Sequence, residues 1–248
     1  MPSSPWIRPE WAAPARVRAL TTLRTGGVSR GPYRSFNLAA HVGDAPADVA
    51  ANRELLRRLA GLPEEPRWLK QVHGARVVQA HERVAGAEAD GSVTGRPGVV
   101  CAVLTADCLP VFLCDRAGTR VGVLHAGWRG LAAGVLEAGV AAMGIAPGEL
   151  LAWLGPAIGP RRFRVGPEVR AAFVQAQPGS EAAFRDTGDG KWLADLYRLA
   201  RLRLEAAGLD RVGGGGFCTF EAQARFFSYR RDGACGRMAS LIWLDPER

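Results

Sequence analysis

From residue 99 to residue 114 the chain is apolar at almost every position, and no other stretch limits its fold so tightly. Residues 99–104 lack the two-residue alternation of a half-solvated strand. They read as a strand covered on both faces, which demands packed layers on either side. The run carries Asp107 and Pro110 and falls short of the roughly 20 residues that cross a bilayer, so no membrane span is expected. Further strands are predicted at 16–23, 67–72, 76–80, 110–114, 120–125, 150–154 and 238–244. Helices are predicted at 46–60, where Val49, Leu55, Leu56 and Leu59 share a side and Gly61 ends the element, and at 130–143, 168–175 and 193–206. Strands come in clusters with helices between the clusters. This order favours a layered α+β arrangement of mixed sheets over strict βαβ winding.

No period of 20 to 50 residues repeats, and no low-complexity segment divides the chain, so residues 1–248 are read as one domain. Residues 25–29 read as a turn, and the glycines at 213–216 as a flexible turn rather than a phosphate cradle. Hydrophobic residues make up 48% and charged residues 23%, a balance that a disordered chain does not have. The 32 basic residues exceed the 24 acidic ones by a net +8, and all but Lys70 and Lys191 are arginine. They are dispersed, and the densest run, Arg161-Arg162-Phe163-Arg164, is too short for a nucleic-acid stripe, so a small anionic substrate is expected and nucleic acid is not. Five cysteines without a CxxC pair fit reduced thiols in a cytoplasm. The amino-terminal residues, broken early by proline, lack the pattern of a secretory signal.

The chain has four histidines. His73 and His125 each fall where a predicted strand ends beside a glycine turn. Between them, Asp107 and Cys108 interrupt two strongly apolar strands, and an unpaired acid in such a setting costs several kcal/mol (order of magnitude) unless something compensates it. If His73, Cys108 and His125 meet, they offer two imidazoles and a thiolate, a zinc ligand set that leaves a fourth position open. Residue types alone leave two other readings open. Each histidine can satisfy local backbone beside an ordinary buried thiol, or Cys108 can serve as a nucleophile with His125 or His73 as its base. His41 and His81 lie in polar, loop-like surroundings and read as surface residues.

Six ordered motifs narrow these alternatives. Arg24-Thr25-Gly26-Gly27-Val28-Ser29, Lys70-Gln71-Val72-His73-Gly74, Thr105-Ala106-Asp107-Cys108-Leu109-Pro110 and His125-Ala126-Gly127-Trp128-Arg129-Gly130 resemble the YfiH family, also called the laccase-domain or polyphenol-oxidase family. Gly155-Pro156-Ala157-Ile158-Gly159-Pro160 and Phe226-Phe227-Ser228-Tyr229-Arg230-Arg231-Asp232-Gly233 extend the resemblance over nearly the whole chain. It implies a single α+β domain with layered sheets, and a zinc held at His73, Cys108 and His125. The implied activity is phosphorolysis of adenosine, inosine and methylthioadenosine, with hydrolytic deamination of adenosine; some members are described as peptidoglycan-editing factors. The chain departs from the family pattern at Arg161, where many members have cysteine, and at Ala89-Asp90-Gly91, where Ala-Asp-Ala is usual.

On this resemblance Asp107 is a candidate proton carrier or a partner that fixes a ligating histidine. Arg24 is the first candidate for binding phosphate, with Arg129 and Arg231 behind it. Asn37 and Gln71 are candidates for hydrogen bonds to base or ribose, and Phe227 and Tyr229 for stacking on the purine. Purine nucleosides and phosphate are the expected partners of a chain expected to act as a monomer. The family's older name points to a multicopper oxidase, whose copper sites draw mostly on histidine; four histidines cannot furnish them, although one copper in place of zinc is compatible with the ligand set.

Overall fold

The structure, a computed structural model, describes residues 5–82 and 85–247. The amino-terminal reading over residues 1–4 lies outside the described residues. In chain order, β1 (Trp6–Ile7) and β2 (Val17–Thr22) lead to α1 (Pro46–Ala60), β3 (Val77–Gln79) and β4 (Gly91–Thr94). The central strands follow: β5 (Cys101–Thr105), β6 (Leu109–Asp115) and β7 (Val121–Ala126), then α2 (Trp128–Ala132), α3 (Val135–Met143) and β8 (Leu150–Leu154). The carboxy-terminal third comprises β9 (Arg164–Val165), α4 (Pro167–Ala176), β10 (Phe184–Asp186), β11 (Trp192–Ala194), α5 (Leu196–Ala206), β12 (Val212–Gly214), α6 (Tyr229–Asp232) and β13 (Met238–Leu244).

A four-stranded antiparallel sheet has the order β1-β2-β13-β5, and a six-stranded mixed sheet the order β12-β8-β6-β7-β4-β3. A small antiparallel sheet, β10-β11-β9, lies apart from both. Strands β5, β6 and β7 are buried at every position, as the apolar run requires. The two faces of β5 and β6 go to different cores. Cys101 and Val103 meet Phe112 and Cys114 between the large sheets, together with Ile242, Val123 and Trp153. Ala102 and Leu104 turn outward to Phe36, Leu38 and Leu56 of α1. On the far side, Val111, Leu113 and Leu124 pack against Leu136 and Val140 of α3 and Leu199 and Leu204 of α5. The fold is α+β, with two sheets face to face and helical layers outside them.

Several local readings change. Residues 67–72 form no strand; two isolated bridges, Arg67 to Cys101 and Lys70 to Glu88, carry this segment across the end of the sheets. The helix expected at 130–143 starts earlier, at Trp128, and breaks at Gly134, whose φ of 93° no helix accommodates. The first half of the glycine turn is strand β12, paired in parallel with β8. Residues 192–194 become β11, and Asp195 caps α5 by accepting the Arg198 backbone N–H at 3.0 Å. No helix among the described residues is long and apolar enough to cross a membrane.

Candidate metal centre

Register places the site. Antiparallel pairing of β6 and β7 sets Pro110 opposite His125 and Leu109 opposite Ala126, so Cys108, one residue before β6, lies beside the end of β7. Strand β4 pairs with the other edge of β7, Gly91 opposite Leu124, and this brings Asp90 alongside His125. His73 arrives from the crossing segment. The ligand atoms of His73, Cys108 and His125 all lie within 4.8 Å of one another, and the two imidazole rings meet at 73° with centroids 4.8 Å apart. Atoms this close can converge on one ion with bonds of about 2.0 to 2.3 Å after small side-chain rotations. The donor set of two imidazoles and a thiolate suits a borderline-soft metal.

Among the described residues, the non-glycine positions with positive φ are His73 (60°) and Asp107 (86°), a candidate ligand and the neighbour of one. Such conformations cost of order 1–3 kcal/mol each and persist only where the surroundings hold them. Each is held by a buried carboxylate. Asp90, with no exposure to solvent, accepts the backbone N–H groups of Val72, His73 and Gly74 at 3.2, 2.9 and 2.7 Å. The same carboxylate accepts a hydrogen bond from His125 Nδ1 at 2.8 Å, so that Nε2 is the nitrogen left to act as a ligand. Asp107 accepts from Thr219 Oγ1 and from the Arg230 backbone N–H, both at 2.6 Å, while its carbonyl accepts the Ile158 N–H at 2.9 Å.

Charge and burial compete at the cluster. Burial raises the Cys108 thiol, but the neighbouring His125 and His73 imidazoles, acting by charge and hydrogen bonding, outweigh it and bring the thiol below its ordinary value. Burial lowers His125, and the facing thiolate and Asp90 together raise it above its ordinary value. Asp90 is likewise pushed up by burial and held below the carboxylate range by His125 and the N–H groups it accepts. The result is a thiolate at hand for a cation.

Gly127 makes the convergence possible. Its backbone is ordinary, but a Cβ there would stand 3.0 Å from both Cys108 Sγ and His73 Cδ2. We expect Gly127→Ala to leave the fold intact and to weaken metal binding several-fold, read by competition with a chromogenic chelator; unchanged affinity would show that the ligands do not need this space.

A cavity of about 330 Å³ opens over His73, Cys108 and His125, and its wall includes His41, Gln71, Tyr229 and Arg237 beside Leu104, Thr105 and Ala106. Burial, with the charges of Arg237 and Arg53, holds His41 below the usual histidine value. Arg237 Nη1 is fixed by the carbonyls of Cys235 and Gly236 at 2.7 and 3.1 Å, and its guanidinium lies 5.7 Å from the Tyr229 ring.

A sequence profile described as "Multi-copper polyphenol oxidoreductase laccase" matches residues 18–245. The chain belongs to this laccase family. It is 57% identical over 242 residues to a purine nucleoside phosphorylase of Pseudomonas aeruginosa, covering 96% of this chain and 98% of that one. Identity to the purine nucleoside phosphorylase YfiH of Escherichia coli K12 is 53% over 239 residues, again 96% and 98% of the two chains. The crystal structure of a Neisseria meningitidis protein of the family DUF152 superposes with a TM-score of 0.94 at 53% identity, over 98% of this chain and all of that one.

Within this laccase-family fold the remaining candidates separate. Gln71 lines the cavity, but its carboxamide is taken up by the Leu104 backbone, donating at 2.9 Å and accepting at 2.7 Å. Arg24 lines a different cavity, lies over Phe227, and donates to the carbonyls of Arg34 and Gln223. Asn37 is wholly buried and accepts the Arg237 backbone N–H at 2.9 Å, so it holds a cavity residue and does not face the cavity. Arg231 spends its guanidinium on the carbonyls of Thr219, Phe220 and Phe226 and on Asp232. Arg129 lies over Trp128 in a separate groove, and Phe227 is core. Asp107 bonds Thr219 and Arg230, and it is Asp90 that bonds the His125 ring. Tyr229 does reach the cavity, 61% exposed, while His81 is exposed. Gly91 does not shape the cavity: Leu124 fills the space where its Cβ would stand, at 2.5 Å.

His41, Arg237 and Asp90 were not assigned to the site from sequence. His41 stands in polar surroundings and Arg237 among many arginines. The departure noted at Ala89-Asp90-Gly91 was the nearest signal to Asp90, an acid leading into a strand that pairs beside a candidate histidine.

Proposed function

We propose that the protein is a zinc-dependent, single-domain purine nucleoside phosphorylase of the cytoplasm. The observation that carries this reading is the convergence of His73, Cys108 and His125 at the floor of a cavity that also presents Arg237, His41 and Tyr229. The names of the Pseudomonas and Escherichia relatives support the reaction class. The five cysteines, free in the structure, suit a reducing compartment. His73, Cys108 and His125 would hold the ion, which when bound supplies Lewis acidity at the cavity floor. Among the described residues they are also the single group of three or more His, Cys, Asp and Glu side chains close enough to hold a metal, which favours one ion over a copper cluster.

The other side chains account for the rest of the reaction. Arg237 binds phosphate and places it, offering a preorganised guanidinium where the anion must approach the sugar. Tyr229 covers one face of the purine. A phosphate oxygen then forms a bond to ribose C1′ as the bond from C1′ to purine N9 breaks, and the electron pair leaves with the base. His41 donates a hydrogen bond to the purine nitrogen on which that charge builds. Asp107, engaged by Thr219 and Arg230, takes no part in proton transfer in this scheme.

Incubating the protein with adenosine, with and without phosphate, and separating the products tests the reading. Adenine and ribose 1-phosphate in the phosphate arm support it; inosine in both arms would indicate deamination as a second activity, and neither product would overturn the assignment. In the same assay we expect Arg237→Ala to raise the phosphate KM about 10- to 100-fold, the loss of one or two charged hydrogen bonds. Arg237→Lys should recover part of it. An unchanged phosphate KM would remove Arg237 from the anion site.

A further inference from the structure

The short basic run Arg161-Arg162-Phe163-Arg164 acquires partners in the fold that the sequence does not show. Arg129 at the start of α2, Lys191 just before β11 and Arg230 of α6 line the same groove, of about 680 Å³, as Arg161, Arg162 and Arg164. Four separate chain segments therefore bring six cations to one concavity. Glu221 lies between Arg161 and Arg162 at 2.8 and 3.1 Å, Asp189 pairs with Arg164, and Glu168 lines the wall. Arg129, Lys191 and Arg230 have no carboxylate partner among the described residues.

The guanidiniums are held in place by aromatic rings. Arg129 lies over Trp128 at 4.5 Å, Arg162 over Phe220 at 5.3 Å and Arg230 over Phe163 at 5.3 Å, with Arg230 Nη1 donating to the Arg164 carbonyl at 2.6 Å. Rings and backbone thus restrict side chains that would otherwise spread apart, which lowers the entropy lost when an anion binds. Gathering like charges opposes folding, and the groove's own carboxylates do not balance them. No residue is shared between this groove and the metal cavity, yet the two adjoin: Tyr229 lines one and Arg230 the other.

We propose that this groove binds the oligophosphate chain of a small ligand, either inorganic or carried by a nucleoside. Three unpaired cations approaching from different segments match a ligand with several linked charges better than a single phosphate, and the volume falls in the range of small-molecule sites.

Calorimetric titration of the full chain with inorganic tripolyphosphate and with adenosine triphosphate, at low and moderate salt, tests this. Both are expected to bind, more weakly as salt rises. Lys191→Glu is expected to weaken both by about tenfold or more and Lys191→Arg to retain them. Nucleoside cleavage by Lys191→Glu should be unchanged, and Cys108→Ala should bind both ligands normally, which separates this groove from capture at the metal site. Equal affinities assign recognition to the phosphates; tighter adenosine triphosphate binding adds a contact to the nucleoside. The proposal is overturned by no measurable binding, by affinities indifferent to Lys191→Glu, by binding lost in Cys108→Ala, or by a 20-nucleotide single strand that outcompetes tripolyphosphate in a Lys191-dependent way. The last result would make the groove a nucleic-acid surface.

Discussion

Cys108→Ala is expected to bind no stoichiometric metal and to lose nucleoside phosphorolysis by about 10³-fold or more, equivalent to about 4 kcal/mol of barrier. Cys108 is the anionic candidate ligand of the cluster, and its thiolate is favoured by the two imidazoles that face it. Without it, His73 and His125 offer two neutral nitrogens, too few to hold an ion with an open position against competing chelators. The fold should survive, because the site lies at the strand ends and the core passes beneath it through Leu109, Val111 and Leu124. Elemental analysis of the purified variant, beside circular dichroism and the product assay, checks all three. Full activity in a folded, metal-free Cys108→Ala protein would remove the metal from the reaction. A covalent acyl adduct on wild-type Cys108 would support the cysteine-hydrolase reading.

Asp90→Asn should cost stability as well as metal. One carboxylate accepts three backbone N–H groups and the His125 Nδ1 proton in a place with no access to solvent. An amide of the same shape turns one acceptor into a donor that faces donors, and breaking a buried charged network of this kind costs about 3–5 kcal/mol. For a chain of this size that corresponds to a fall of roughly 6–20 °C in melting temperature. The His73 turn loses its anchor and His125 its fixed orientation, so metal affinity should drop about 10- to 100-fold. Thermal unfolding and zinc competition, measured on the same preparation, test both. A variant that melts normally and keeps its metal would show that Asp90 holds neither ligand.

The parts of the fold that were legible were those set by burial. Residues 99–104 could be read as a doubly covered strand because every side chain there is apolar, and Cys101 and Val103 do face one core while Ala102 and Leu104 face another. Residues 67–72 misled because Trp68, Leu69 and Val72 are residue types that suit a strand, whereas the segment makes single bridges on its way between sheet ends. Strand β4 was missed since Ala89-Asp90-Gly91-Ser92 has turn chemistry, and it is pairing with β7 and β3 that makes it a strand. At the site, His73, Cys108 and His125 stood out by residue type and place, yet their meeting depends on pairings between strands that no local pattern encodes. Arginines were the least legible. With 30 of them, tertiary structure alone separates Arg237, which lines the cavity beside His73, Cys108 and His125, from Arg24, which lines another, and Arg231, whose guanidinium is taken up by carbonyls and Asp232.

The most direct measurement is a zinc titration of chelator-stripped protein in which bound metal and ribose 1-phosphate formation from adenosine and phosphate are followed together. The account predicts that activity rises in proportion to bound zinc, saturates at one equivalent per chain, and is absent from Cys108→Ala at every zinc concentration. Activity that is complete before any zinc is added, or that appears only with several coppers and consumes oxygen, would contradict it.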